Sequence, residues 1–268
     1  MCGIAGFIDY QGFERESGTR QLRRMTGLLA HRGPDADGHY TDDFAALGHR
    51  RLSIIDLASG QQPMADRGGQ VQIVFNGEIY NFRELRAELD AAGHEFRTQS
   101  DTEVILKAYA EWGDDFVQRL NGMFAFALWD QANRRLLLSR DRVGKKPLYY
   151  FTDGSRLVFA SELKALRVDP KCPNSVDAEA LDCYFSLGYI PAPRTIYRGV
   201  RKLNPAHLLV FTESGSKLRP YWRLDCRQAK DLSSAEVTEQ FESLLDEAVA
   251  TRLISEVPLG DFLSGVLD

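Results

Sequence analysis

Met1-Cys2-Gly3-Ile4-Ala5-Gly6-Phe7-Ile8 opens the chain, and the reading of the fold turns on this stretch. Gly3 to Ile8 is apolar and short, which predicts a buried strand starting almost at the first residue. It has no basic leader and runs directly into Asp9, so it does not read as an export signal. Initiator methionine is normally removed when a small residue follows, so the mature chain is expected to begin at Cys2. An N-terminal cysteine holds a thiol and its own α-amine within reach of each other. That amine, with a pKa of roughly 7.7–8.0, can take the thiol proton directly or through water, and no separate histidine is needed. A cysteine at position 2 can equally be incidental.

Outward from this strand, Thr19 to Leu29 has helical periodicity and stops near the polar run His31-Arg32-Gly33-Pro34-Asp35. Short apolar runs at Ala45 to Gly48, Leu52 to Asp56 and Val71 to Phe75 read as strands of an antiparallel layer. Helices return at Phe82 to Ala92 and Thr102 to Trp112, the second with a capping box of Ser100 and Glu103. Strands resume at Met123 to Trp129, Arg135 to Ser139, Leu148 to Phe151 and Leu157 to Ala160. Strands, helices and then strands predict an α+β sandwich rather than a βαβ repeat. Tyr197 to Phe211 has room for two more strands, with a polar turn at Thr212 to Lys217. Leu218 to Asp231 reads as a linker with Trp222 pinned. Ser233 then starts a helix with Glu236 at its capping-box position and an apolar stripe of Val237, Phe241, Leu244, Leu245, Ala248, Val249 and Leu253.

Composition bounds the function. The 268 residues, 44% hydrophobic, bury a core without staples, as one large domain or two modest ones. A net charge of −5 gives no reason to expect nucleic acid or an anionic membrane surface. No run approaches the roughly 18 apolar residues of a membrane span. Cys2, Cys172, Cys183 and Cys226 contain no Cys-x-x-Cys pair, so neither a zinc site nor a disulfide framework is expected, and a reducing cytoplasm is the simplest compartment.

Three further motifs carry chemistry. Phe75-Asn76-Gly77-Glu78 ends an apolar strand; Asn-Gly reads as a tight turn, or as a carboxamide beside a glycine N–H that together suit an oxyanion. His49-Arg50-Arg51-Leu52 puts an arginine at a strand mouth, either solvated or gripping a carboxylate with both arms. Ser100-Asp101-Thr102-Glu103 is a helix cap, or an acid placed to hold a ligand's ammonium beside Glu78.

Together these residues resemble the N-terminal glutaminase domain of glutamine-dependent asparagine synthetases, a class II amidotransferase domain of the N-terminal-nucleophile hydrolase fold. The resemblance runs in order through Met1 to Gly6, His31 to Asp35, Arg51 to Asp56, Asn76 to Asn81, Ser100 to Glu103, Gly122 to Ala127, Asp141 to Leu148 and Ser161 to Ala165. It implies a four-layer αββα sandwich. It also implies Cys2 as nucleophile forming a γ-glutamyl thioester, with Asn76 and the Gly77 amide as oxyanion hole. Arg51 resembles the carboxylate clamp, Glu78 and Asp101 the ammonium ligands, and Leu52, Ser53, Ile54 and Ile55 line the same pocket. His31 to Asp35 is expected to be a structural loop. The implied partner molecule is glutamine, with no cofactor or metal for its hydrolysis.

In this family the ammonia passes to a C-terminal synthetase domain that uses ATP and Mg2+. That domain opens with a Ser-Gly-Gly-Leu/Val-Asp-Ser phosphate loop, whereas the run here is Leu263-Ser264-Gly265-Val266-Leu267-Asp268. Val266 replaces the second glycine and restricts the backbone. Leu263 resembles an adenine-contacting residue, though useful ATP binding is not expected. The division implied is a glutaminase domain at 1–214, then a linker and the start of a truncated α/β adenylating domain at 215–268. A fragment, a decayed gene product and a free-standing subunit all fit that pattern, truncation or decay best. Partners implied are a synthetase domain or subunit, with a homodimer as a further option. Two other readings stand beside the leading one: the glutaminase half of an enzyme amidating another carboxylate, as in envelope or exopolysaccharide pathways, and a non-catalytic regulatory module. Cys2 directly after Met1 and a complete pocket set argue against the last.

Overall fold

The computed structural model describes residues 1–226, 232–258 and 260. In chain order the elements are β1 (Gly3–Asp9), α1 (Arg15–Gly27), β2 (Ala36–Thr41), β3 (Ala45–Arg51), β4 (Met64–Ala65), β5 (Val71–Ile79), α2 (Phe82–Ala91) and α3 (Asp101–Trp112). There follow β6 (Gly122–Asp130), β7 (Arg135–Arg140), β8 (Tyr149–Thr152), β9 (Arg156–Ala160), α4 (Leu163–Leu166) and α5 (Ala178–Leu187). The last are β10 (Arg201–Lys202), β11 (His207–Thr212), β12 (Gly215–Pro220) and α6 (Ser234–Ala250).

Two six-stranded sheets result, with strand orders β10-β8-β9-β1-β3-β2 and β12-β11-β7-β6-β5-β4, and their ladders are antiparallel. Each central strand is apolar on both faces, so alternate residues feed different cores. Ile4 and Ile8 of β1 meet Val74, Trp129 and Leu138 between the sheets. Ala5 and Phe7 face outward onto Leu22, Met25 and Leu29. Phe75 and Ile79 of β5 pack outward on Leu85, Leu89, Val104 and Ile105 of α2 and α3. Helix, sheet, sheet, helix is therefore the layering, as the sequence predicts.

Several local expectations are corrected. Leu52 to Asp56 is not a strand: its backbone groups are taken by side chains instead of a ladder. Asp35 Oδ2 accepts from the Ser53 amide at 2.8 Å, and Arg51 Nη2 donates to the carbonyls of Ile55 (3.2 Å) and Asp56 (2.6 Å). Asp56 itself lies at φ +51°, incompatible with a strand. Asn76-Gly77 is no turn, since β5 continues through it to Ile79. Ser100 caps α3 by accepting from the Thr102 amide, but Glu103 turns away and accepts from Arg97 N and Thr98 N, so the capping box does not form. The polar turn at Thr212 is tighter than expected: Thr212 pairs with Gly215, and β12 runs on through Leu218 to Pro220. β2 and α5 have no counterpart in the sequence reading.

Trp222 packs partly buried against the core, as expected of a pinned residue. The α6 capping box forms in full, Ser233 with Glu236. Its apolar stripe lies in solvent, with Phe241 63% and Leu244 64% exposed. Among the described residues, no helix is long and apolar enough to cross a membrane.

Candidate active site

Strand parity gathers the site. Ile4 and Ile8 face the inter-sheet core, and the same alternation carries Cys2 to that side. Ala45 and Leu47 do so in β3, and His49 and Arg51 continue their row. Val74 does so in β5, followed by Asn76 and Glu78. One end of the sandwich thus collects a thiol, a guanidinium, a carboxamide and a carboxylate. They line a cavity of about 150 Å3 together with Leu52, Ile54, Ile55, Gly77, Asp101 and Lys146. Of the residues singled out in sequence, Ser53 does not line it; its amide is spent on Asp35. Leu263 lies outside the described residues.

Cys2 Sγ accepts from the Leu52 amide at 3.4 Å and lies 3.6 Å from the Leu52 carbonyl. Burial raises the thiol pKa, opposed by the Leu52 hydrogen bond, the nearby N-terminal ammonium, Arg51 and Lys146. A thiol held protonated by burial needs a base. With Met1 in place the Cys2 nitrogen is a peptide amide; Met1 is 57% exposed at the cavity mouth, where a peptidase can reach it. Arg32 holds the backbone beside the thiol, its Nε donating to the Cys2 carbonyl at 3.0 Å and its Nη1 pairing with Glu162 at 3.1 Å. The loop from His31 to Asp35 accordingly braces the backbone beside Cys2 and at Ser53.

Asn76 is the anomaly of the cavity. It is 1% exposed, yet neither its Nδ2 nor its Oδ1 has a hydrogen-bond partner among the described residues. An unsatisfied buried amide costs roughly 1–3 kcal/mol and calls for a reason. The Gly77 amide lies beside it. The amides of Phe75 and Ile79 point off the open side of β5, to Gln62 Oε1 (2.6 Å) and Asp101 Oδ2 (3.0 Å). By ladder alternation the Gly77 N–H points the same way. Only glycine fits there, because a Cβ would lie 2.2 Å from the Met123 carbonyl. Two donors on the cavity wall are thereby free to meet a developing negative charge.

The cavity also carries charged groups of both signs. The Arg51 guanidinium, 4% exposed, braces the loop that follows it. Gly60 gives it room, since a Cβ there would lie 2.5 Å from Arg51 Nη2. Glu78 and Asp101 line the same cavity. Burial raises the Glu78 pKa, with Lys146 opposing. Burial, then the Glu78 charge, pushes Asp101 up to about 7. Two carboxylates this costly to ionise favour a ligand ammonium between them.

Three contributors escaped the sequence reading. Lys146, 6% exposed, lines the cavity, and its pKa is lowered by burial against the pull of Glu78 and Cys2. Asp141 places it by accepting from the amides of Phe124, Val143, Lys145 and Lys146. The signal was the Asp141-to-Leu148 motif itself, whose lysines were not separated. Gln62 ties the site to α3, accepting from Phe75 N and donating to Thr102 Oγ1. His49 Nε2 donates to the Phe75 carbonyl at 3.0 Å across the two sheets, and burial lowers its pKa to about 3, so it stays neutral. Among the described residues, no group of three or more His, Cys, Asp or Glu is placed to hold a metal ion.

The chain is 40% identical over its whole length to the glutamine-hydrolysing asparagine synthetase 3 of Bacillus subtilis (strain 168), covering 44% of that protein. It is 37% identical to a putative glutamine-hydrolysing asparagine synthetase 2 of Methanocaldococcus jannaschii, covering 55% of it. The chain thus spans about half the length of these relatives or less. In fold it is similar to the glutamine phosphoribosylpyrophosphate amidotransferase of B. subtilis solved with ADP and GMP, with TM-score 0.59 and 22% identity over 83% of this chain and 50% of that one. The glutamine amidotransferase domain family matches residues 1–222, and the chain belongs to that family.

Proposed function

We propose that this chain, once Met1 is removed, hydrolyses the side-chain amide of glutamine to glutamate and ammonia. The Asn76 carboxamide on the wall of the Cys2 cavity, without a hydrogen-bond partner among the described residues, is the observation that carries this reading. Cys2 Sγ attacks the amide carbon while the Cys2 α-amine takes the thiol proton. The oxygen becomes an oxyanion held by Asn76 Nδ2 and the Gly77 N–H. Collapse breaks the C–N bond; the α-ammonium protonates the departing nitrogen, which leaves as ammonia. Water, deprotonated by the same amine, then cleaves the γ-glutamyl thioester. Arg51 faces the substrate carboxylate, and Glu78 and Asp101 its ammonium.

The reading extends, on the likeness to the B. subtilis relative, to a longer assembly in which the ammonia converts aspartate to asparagine at the expense of ATP. ATP and Mg2+ belong to that synthetase partner, and no step above passes through them. The proposal divides the chain into a glutaminase unit at 1–214 and, at 215–268, a linker with the start of a truncated asparagine synthetase domain, although the pairing of β12 with β11 carries the first unit's sheet to Pro220. It also places the chain in the cytoplasm. The test is glutamate release by the purified chain with its N-terminal mass confirmed. Wild type is expected to release glutamate, and Cys2→Ala to lose more than about a thousandfold of that rate. Equal release by both sinks the reading.

A further inference from the structure

A segment far along the chain reaches back to the glutamine pocket. After α6, Arg252 stacks over the Tyr80 ring at 4.6 Å, and Ile254 packs on the core beneath α2 and α3. Glu256 then makes three hydrogen bonds to one arc of the pocket loop. Its amide donates to the Ile54 carbonyl at 3.0 Å, and its carboxylate accepts from the amides of Asp56 at 3.0 Å and Leu57 at 3.3 Å. Successive amides at a left-handed residue, here Asp56 at φ +51°, form a natural anion cradle. The arc they hold is continuous with Leu52, Ile54 and Ile55 of the cavity wall, and its carbonyls brace Arg51.

We propose that Glu256 is a positioning residue for glutamine binding. By fixing residues 54–57 it sets the cavity wall and the Arg51 guanidinium in the arrangement that receives the substrate. The inference rests on the glutaminase reading for its substrate. Asn76 and Gly77 stand on β5 and Cys2 directly precedes β1, strands to which Glu256 makes no hydrogen bond, so affinity rather than turnover depends on it. Linkage makes the effect reciprocal: bound glutamine tightens the seat of 252–257, and displacing that segment weakens glutamine.

The test uses the full chain with Glu256→Ala and Glu256→Gln, read by glutaminase kinetics and by amide hydrogen exchange. Glu256→Ala is expected to raise KM for glutamine about tenfold while kcat stays within about threefold. Glu256→Gln, which keeps one acceptor oxygen, is expected to fall between. Exchange at Asp56 and Leu57 should accelerate about tenfold or more in Glu256→Ala, with β5 and β6 unchanged. Glutamine should slow exchange at 252–257 in wild type. Unchanged KM in an active enzyme, or unchanged exchange at Asp56 and Leu57, overturns the proposal. So does a loss of kcat matching the rise in KM, or faster exchange throughout both sheets, since either marks a general structural role. A wild-type chain that releases no glutamate would instead defeat the glutaminase reading, and the exchange data would still decide whether Glu256 holds the loop.

Discussion

The two walls of the cavity are built by different means. The strand wall, from Cys2 into β1 and from Asn76 to Ile79 in β5, is positioned by backbone ladders and by cores on both faces of each sheet. The loop wall, from Leu52 to Gly60, has no ladder and is held from distant positions by the carboxylates of Asp35 and Glu256 and by the Gln99 amide, which donates to the Asp56 carboxylate. The groups proposed to meet the reacting amide stand on the first wall, and the Arg51 guanidinium and the apolar contacts of Leu52, Ile54 and Ile55 depend on the second. Rigid strands fix chemistry; a side-chain-braced loop leaves substrate affinity open to adjustment from elsewhere in the chain.

The comparison breaks most visibly at Asn76. Its carboxamide has no partner among the described residues, so Asn76→Ala should leave folding intact while kcat for glutamine falls about 10²- to 10³-fold with little change in KM. Thermal melting and steady-state kinetics together check this. A large loss of stability would show that the side chain is structural.

On the loop wall the expected effect is smaller and of the opposite kind. Arg51→Lys cannot reach three carbonyls and a substrate carboxylate at once, so KM should rise roughly 10- to 100-fold with kcat reduced much less. A drop confined to kcat would place Arg51 on the catalytic wall instead.

Asp101 supports the strand wall, its Oδ2 accepting from the Ile79 amide at 3.0 Å, and its prediction depends on pH. Its carboxyl is raised by burial from 3.8 to about 7, so the folded protein holds that proton more tightly than the unfolded chain. Stability from this group is full below pH 3.8 and is lost as the pH rises to about 7. Without glutamine, Asp101→Asn should therefore gain stability relative to wild type as the pH rises from 5 to 8. The same change should weaken glutamine binding about tenfold at pH 8. Denaturant melts at pH 5 and pH 8 give the first quantity and KM gives the second; a variant that gains nothing on wild type between them contradicts the assignment.

The same division governs how much was legible in the sequence. The strand wall could be read because apolar runs such as Gly3 to Ile8 and Met123 to Trp129 fix strand and face through a period of two, and Asn76-Gly77 stood at the end of one. The backbone form of the loop wall could not, although the resemblance set Leu52, Ile54 and Ile55 on the pocket, where they lie. Leu52-Ser53-Ile54-Ile55 has a strand's composition, and only bonds from residues up to 200 positions away divert it. Glu103 shows the same limit on a small scale: its spacing from Ser100 suits a capping box, but the Arg97 and Thr98 amides compete for its carboxylate and win. Lys146 was hidden because Asp141, not its own neighbours' periodicity, turns it into the cavity.

The central claim, that an unblocked Cys2 is the nucleophile of a glutamine site, is tested most directly by peptide mass mapping. The chain would be treated with a glutamine analogue bearing an electrophilic diazoketone in place of the amide. The account predicts one equivalent of label on Cys2 of the chain lacking Met1, prevented by excess glutamine and absent from Cys2→Ala. Label on Cys172, Cys183 or Cys226, or an unmodified Cys2 in the folded and processed chain, would contradict it.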